Sequence, residues 1–201
     1  MEEKGYYWYF APKDRRLRYG DGRLIEVGTT HTVKPPITLC ERGLHASKRA
    51  IDALRYAPGP IVCRVKLGGG IIRGDDKFCA TERTYLSVVD AEDTLRSFVR
   101  RCALDVIDLW DAPDVVREYL ETGDESIRAA AWAAARYAAR DDARSAAWAV
   151  AWAGAWDVVW SGARSAAWAV ARDAARAAAR AEKIEEYNGW LEEMLLNAET
   201  E

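Results

Sequence analysis

The alternation of apolar and polar positions over the first ninety residues predicts strands separated by tight turns. Residues 6–10 are aromatic and β-prone, Pro12-Lys13-Asp14 makes a turn, and Tyr19-Gly20-Asp21-Gly22 makes another before an apolar stretch at 24–27. Together these predict a β-meander. Pro35-Pro36 precede a short strand at 37–40, and Glu41-Arg42-Gly43 turns the chain into a helix over 47–54, with Ser47 as its N-cap and Ala50, Ile51 and Leu54 on its apolar face. Pro58-Gly59-Pro60 stops that helix. Residues 61–67 alternate around Arg64 and Lys66 as a strand ending in Gly68-Gly69-Gly70, with further strands at 71–73 and 84–89. A helix over 91–110 carries Leu95, Val99, Cys102, Val106 and Leu109 on one side and closes the first domain.

Beyond it the period changes. Pro113 opens a helix over 113–121 with Gly123 just past its end, and Asp124 restarts another with Glu125 in its first turn. From Arg128 to Arg180 every fourth residue is Trp or Arg, and the residue before each, from Ala131 on, is Ala except at Val159. Alanine is the best helix former and no proline follows Pro113, so the segment is helical. Four residues advance an α-helix by about 400°, so the large side chains drift by about 40° per unit and circle the helix in about 36 residues. One straight helix cannot keep such a stripe on one partner. Breaks are predicted at Asp141-Asp142 and Ser161-Gly162, giving helices over 125–140, 143–160 and 163–185, then a terminal amphipathic helix over 188–197. The predicted class is therefore α+β: a small, mostly antiparallel sheet domain with one or two helices at 1–110, followed by an all-α hairpin or bundle at 111–201.

Composition narrows function more by exclusion than by indication. Half of the 201 residues are hydrophobic, and a formal charge of −3 gives no general basic excess for nucleic acid. The opening MEEKGYYWYF has no basic-then-apolar signal pattern, and the apolar run 145–160 is shorter than a bilayer span and contains Asp157. These point to the cytoplasm of a bacterial host cell and to no membrane partner. Cys40, Cys63, Cys79 and Cys102 are irregularly spaced without a CxxC, so they read as reduced thiols rather than metal ligands or a disulfide framework. Gly68-Gly69-Gly70 lacks the Lys and Ser/Thr of a phosphate-binding loop.

The tetrad positions offer an interaction surface: Arg136, Arg140, Arg144, Trp148, Trp152, Trp156, Trp160, Trp168, Arg172 and Arg176. Trp and Arg four apart stack as cation–π pairs, and the same arginines could face an acidic partner or a nucleic acid. Packing and self-association use the same residues, and a twelve-base coding repeat would produce the same period without selection for function. His45 reads either as a histidine hydrogen-bonded near a helix start or as a chemical group.

Tyr9-Phe10, Val27-Gly28, Cys40, Gly43, His45-Ala46, Val65, Gly68 and Asp76-Lys77 occur in this order along residues 5–90. Through them the stretch resembles a family of uncharacterised small domains common in bacteriophage and prophage genomes, with Leu44 at a usually aromatic position and Ser47 where a second cysteine often stands. The resemblance implies a phage-type accessory protein that acts by binding a host or phage macromolecule, with Cys40, Gly43, His45, Ser47 and Lys77 as ligand-binding candidates and no cofactor. The order of strand, Gly43-Leu44-His45-Ala46-Ser47, helix and the strand ending at Gly68 also resembles the middle of ADP-ribosyltransferases. That resemblance implies NAD as cofactor, with His45, Ser47 and Glu82 as catalytic candidates. A third reading, nucleic-acid binding, uses the arginines of the tetrad.

Overall fold

The computed structural model describes residues 5–109, 111–138 and 180–200. Its elements are β1 (Tyr7–Ala11), β2 (Thr30–Thr32), β3 (Leu44–Ala46), α1 (Ala50–Leu54), β4 (Ile61–Arg73), β5 (Phe78–Asp90), α2 (Glu92–Leu104), a 3₁₀ turn (Ile107–Leu109), α3 (Asp114–Thr122), α4 (Arg128–Ala138) and α5 (Arg180–Ala198). The class is α+β with an antiparallel sheet. Contacts divide the chain into two compact units, one from the N-terminus to Glu92 together with Glu192 onward, the other from Asp93 to Leu191.

In the first unit, β4 and β5 form a long antiparallel hairpin whose register shifts at Arg64/Val65 and at Gly68/Ile71. Such irregularities bend a strand, and the two halves of the hairpin take different partners. β1 pairs with Ile61 to Val65 at the base, while β3 pairs with Phe78 to Ala80 near the tip. β3 then reaches back to β1 through one bridge, in which Trp8 and Ser47 exchange both backbone bonds at 2.7 and 2.9 Å. The pairings β1-β4-β5-β3-β1 thus close on themselves. Inside lie Leu17, Ile25, Leu44, Ala46, Cys63, Val65 and Tyr85, with Tyr7 and Tyr9 packed against them. Alternation along β1 turns Trp8 and Phe10 to the other face, where both are buried and α1 covers the strand.

The base of the hairpin follows the alternation read along 61–67, and Gly68 to Gly70 continue as strand rather than ending it, because Thr81 and Glu82 of β5 flank them. Three expectations are corrected. Residues 37–40 are not a strand: Thr38 and Arg42 close a tight turn and Cys40 adopts φ 71°, a left-handed conformation incompatible with a ladder. Ser47 does not cap α1, because its backbone is committed to Trp8; Arg49 occupies the N-cap, and its side chain pairs with Asp52 instead of capping the helix backbone. Residues 24–27 contribute only a bridge between Arg16 and Leu24.

The described residues of the second unit are mainly helical. α2 buries Leu95, Phe98, Val99, Cys102 and Ala103, and it ends at Leu104 rather than running to residue 110. There Asp105 turns its carboxylate to Lys183 (3.1 Å) and Tyr187 (2.6 Å), and the chain tightens into the 3₁₀ turn. α3 ends on Gly123 at φ 69°, the left-handed terminus expected of that glycine, and packs against α4. Asp124 forms a turn onto Ser126, so the next helix begins at Arg128 rather than at residue 125. The predicted break between residues 185 and 188 is absent, because α5 is continuous and buries Tyr187, Leu191 and Leu195 at four-residue spacing. The helix predicted over 143–160, residues 163–179 of the helix predicted over 163–185, the breaks at Asp141 and Gly162, and the side chains of Arg136 to Arg176 lie outside the described residues. No helix among the described residues is long and apolar enough to cross a membrane.

Candidate functional site: a cavity at the gap between two strands

After the Trp8–Ser47 bridge, β1 and β3 part. A continued antiparallel register would set Phe10 opposite His45, yet no ladder forms there. The carbonyl of His45 instead accepts a bond from Arg83 Nη1 at 2.6 Å. A guanidinium thus stands where a ladder bond would be, and beside it opens a cavity of 540 Å³. Tyr9 and Phe10 form one lip, and Leu44 and His45 form the other, with Tyr56 and Lys77 also in the wall. Its size suits a small molecule.

Five residues singled out in the sequence, Cys40, Gly43, His45, Ser47 and Lys77, line this one cavity. Glu82 does not. It is exposed on β5, and the two-residue period of a strand turns its neighbour Arg83 inward instead. His45 is therefore not accompanied by the acid that the resemblance to ADP-ribosyltransferases implies.

His45 holds the wall together. Its Nε2 accepts the backbone N–H of Cys40 at 3.0 Å, and its other nitrogen bonds the Gly43 carbonyl, which together require the neutral Nδ1–H tautomer. Burial depresses its pKa, and the nearby cations Lys77 and Arg83 add to the effect. Both ring nitrogens are thus engaged in fixing the turn from Cys40 to Gly43. Gly43 sits at φ 136°, and a Cβ there would run into Cys79 Sγ. Cys79 is buried with its thiol directed at the Arg42 carbonyl (3.4 Å), and burial raises its pKa.

Lys77 lies over the Tyr56 ring, 3.9 Å from its centroid, while the Tyr56 hydroxyl donates to Asp76 at 2.5 Å. Burial acts to lower the Lys77 pKa, but hydrogen bonds to Cys40 and Tyr56 outweigh it and the ammonium is held charged.

Arg83, Tyr85 and His31 were not among the residues singled out, and Tyr9 was named only for the family resemblance. Arg83 is only 2% exposed. Its guanidinium donates to the Tyr85 hydroxyl through Nε (3.2 Å) and Nη2 (2.8 Å), and its face covers the Tyr9 ring at 3.6 Å. With two bonds accepted from Arg83, the Tyr85 hydroxyl gives its own proton to His31 Nδ1 at 3.1 Å. Burial pushes the Tyr85 pKa up to about 12, keeping the phenol neutral despite the adjacent cation. His31 is also buried, which lowers its pKa, with Arg23 and Arg83 adding to the shift. The clue available in sequence was the shared parity of Arg83 and Tyr85, which puts an arginine on the strand face carrying a core aromatic.

Among the described residues no three His, Cys, Asp or Glu side chains converge as a metal site. A family model, Domain of unknown function (DUF7666), matches residues 16–97. The matched stretch contains Cys40, His45, Lys77 and Arg83 but begins after β1, and it carries neither an activity nor a phage attribution. No curated protein and no solved structure matches the chain.

Proposed function

We propose that this chain acts by binding, and that the cavity at the β1–β3 gap is where its N-terminal unit holds a small molecule. The observation that carries this reading is a cavity of 540 Å³ whose one histidine has both ring nitrogens committed to backbone groups. A histidine so engaged positions a wall rather than exchanging protons with a substrate. The lining supports recognition: aromatic rings at Tyr9 and Tyr56, cations at Lys77 and Arg83, and a thiol at Cys40. The alanine-rich segment serves packing or self-association in this reading, and any macromolecular partner, host or phage, is engaged by the chain as a binding protein.

A thermal-shift screen of metabolite-sized compounds tests it. A ligand at a hundred times its Kd raises stability by about 2.7 kcal/mol, and the shift should shrink when Lys77→Glu or Tyr56→Ala alters the cavity wall. Hits whose shifts are indifferent to both substitutions would place binding elsewhere and remove the basis of the proposal.

A further inference from the structure

Arg83 is a buried cation in the cavity wall with no carboxylate bonded to it among the described residues. Among the described residues it has no ion pair; its partners are a phenol, a carbonyl and the Tyr9 ring face. A guanidinium carries five N–H groups in a fixed fork. Three are used on Tyr85 and His45, so two remain. Leaving a charge and donors out of water without a counter-charge is costly unless another group compensates.

Trp8 reaches this lining only as a fully buried residue whose side chain lies on the opposite face of β1, so its indole offers the cavity no donor. Arg18 and Lys77 add further cations to the lining. Of the carboxylates there, Asp21 is held bidentately by Arg23 with both bonds at 2.7 Å, and Glu41 is exposed. The unspent capacity of the cavity is therefore donor capacity, and its unbalanced charge is positive.

Resting on the reading of this cavity as a small-molecule site, we infer that its ligand is an anion, a carboxylate or a phosphate, seated on the two remaining N–H groups of Arg83 with Arg18 and Lys77 as neighbouring cations. Planar oxyanions match the guanidinium fork through two parallel bonds. The aromatic lips favour an anion carried on an apolar or aromatic body.

Calorimetry and ¹⁵N NMR on the full chain test this with four anionic probes, inorganic phosphate, acetate, benzoate and phenyl phosphate, and with benzamide as the neutral counterpart of benzoate. The expected result is saturable binding of an anion, at least tenfold tighter than benzamide, weakened by sodium chloride, and shifting the Arg83 Nε–H resonance identified by its loss in Arg83→Met. Benzoate above phenyl phosphate would mark a carboxylate ligand, and the reverse order a phosphate. Arg83→Lys keeps a cation but loses the planar fork and should weaken the anion about tenfold while leaving benzamide unchanged; Arg83→Met should abolish the difference between benzoate and benzamide. Equal, salt-insensitive binding of benzamide and benzoate would overturn the anion inference and leave the small-molecule reading standing. No binding of any anionic probe would overturn it too, and if neutral compounds also failed to shift the cavity residues, the underlying reading would fall with it.

Discussion

His31 and His45 are the only histidines in the chain, and both are held neutral inside the first unit. Burial lowers each pKa below the ordinary 6.5, and nearby arginines, with Lys77 for His45, add to it. The sign of the pH effect follows. Above 6.5 neither state binds the proton and the contribution is complete; as pH falls through 6.5 the unfolded chain takes up protons first, so stability drops until the depressed folded values are passed. Urea denaturation should show stability falling from pH 7 to 5.5, with a shallower slope in the His31→Gln/His45→Gln double variant. An unchanged slope would show that these histidines are not held neutral by the fold. His45 was readable as a hydrogen-bonded residue near a helix start; its partner Cys40 was not, because the left-handed turn places that amide by tertiary packing. Arg83 was hidden for a different reason. An arginine in a strand ordinarily reads as solvent-facing, and only its pairing with Tyr85 and the His45 carbonyl shows why it turns inward.

At the scale of elements, the turn from Cys40 to β3 depends on Gly43, where the positive φ and the closeness of Cys79 Sγ both exclude a side chain. Gly43→Ala should cost about 1–3 kcal/mol from backbone strain and overpacking. Adding Cys79→Ala should recover part of that loss, so a double-mutant cycle read by urea denaturation should give a favourable coupling. Strict additivity would mean that the thiol is not what Gly43 avoids. In α5, by contrast, Gly189 has open space where a Cβ would go and no left-handed backbone. Gly189→Ala should stabilise the chain by about 0.4–1 kcal/mol, and a loss of stability would contradict a continuous helix there. The break expected between residues 185 and 188 does not form. Tyr187, Leu191 and Leu195 supply a buried stripe that outweighs the local preference. The base of β4 was readable because alternation persists where one face of a strand is buried. β3 was not, because a three-residue strand exists only through its pairing with Phe78 to Ala80, distant in sequence.

At the scale of the molecule, the last residues belong to the first unit although the helical segment separates them from it in sequence. Glu199 receives Arg64 at 2.8 and 2.6 Å and Ser87 at 2.6 Å, beneath an aromatic contact between Arg64 and Tyr6. Arg64 remains partly solvated, so the contribution is smaller than that of a fully buried pair. Glu199→Ala should cost about 1–3 kcal/mol and speed hydrogen exchange in β1 and the base of β4. Exchange unchanged in those strands would show that the terminus does not support them. The order of predicted strands and helices foretold the α+β class, but no local pattern tied the terminal residues to the sheet, since that tie is made by single side chains across a long separation.

The cavity at the β1–β3 gap is the centre of the account, and a chemical-shift map of the full chain titrated with phenyl phosphate tests it most directly. Saturable shifts are expected, concentrated at Tyr9, His45, Lys77 and Arg83. Shifts confined to the alanine-rich segment around Arg136 to Arg176, or none at saturation, would contradict it.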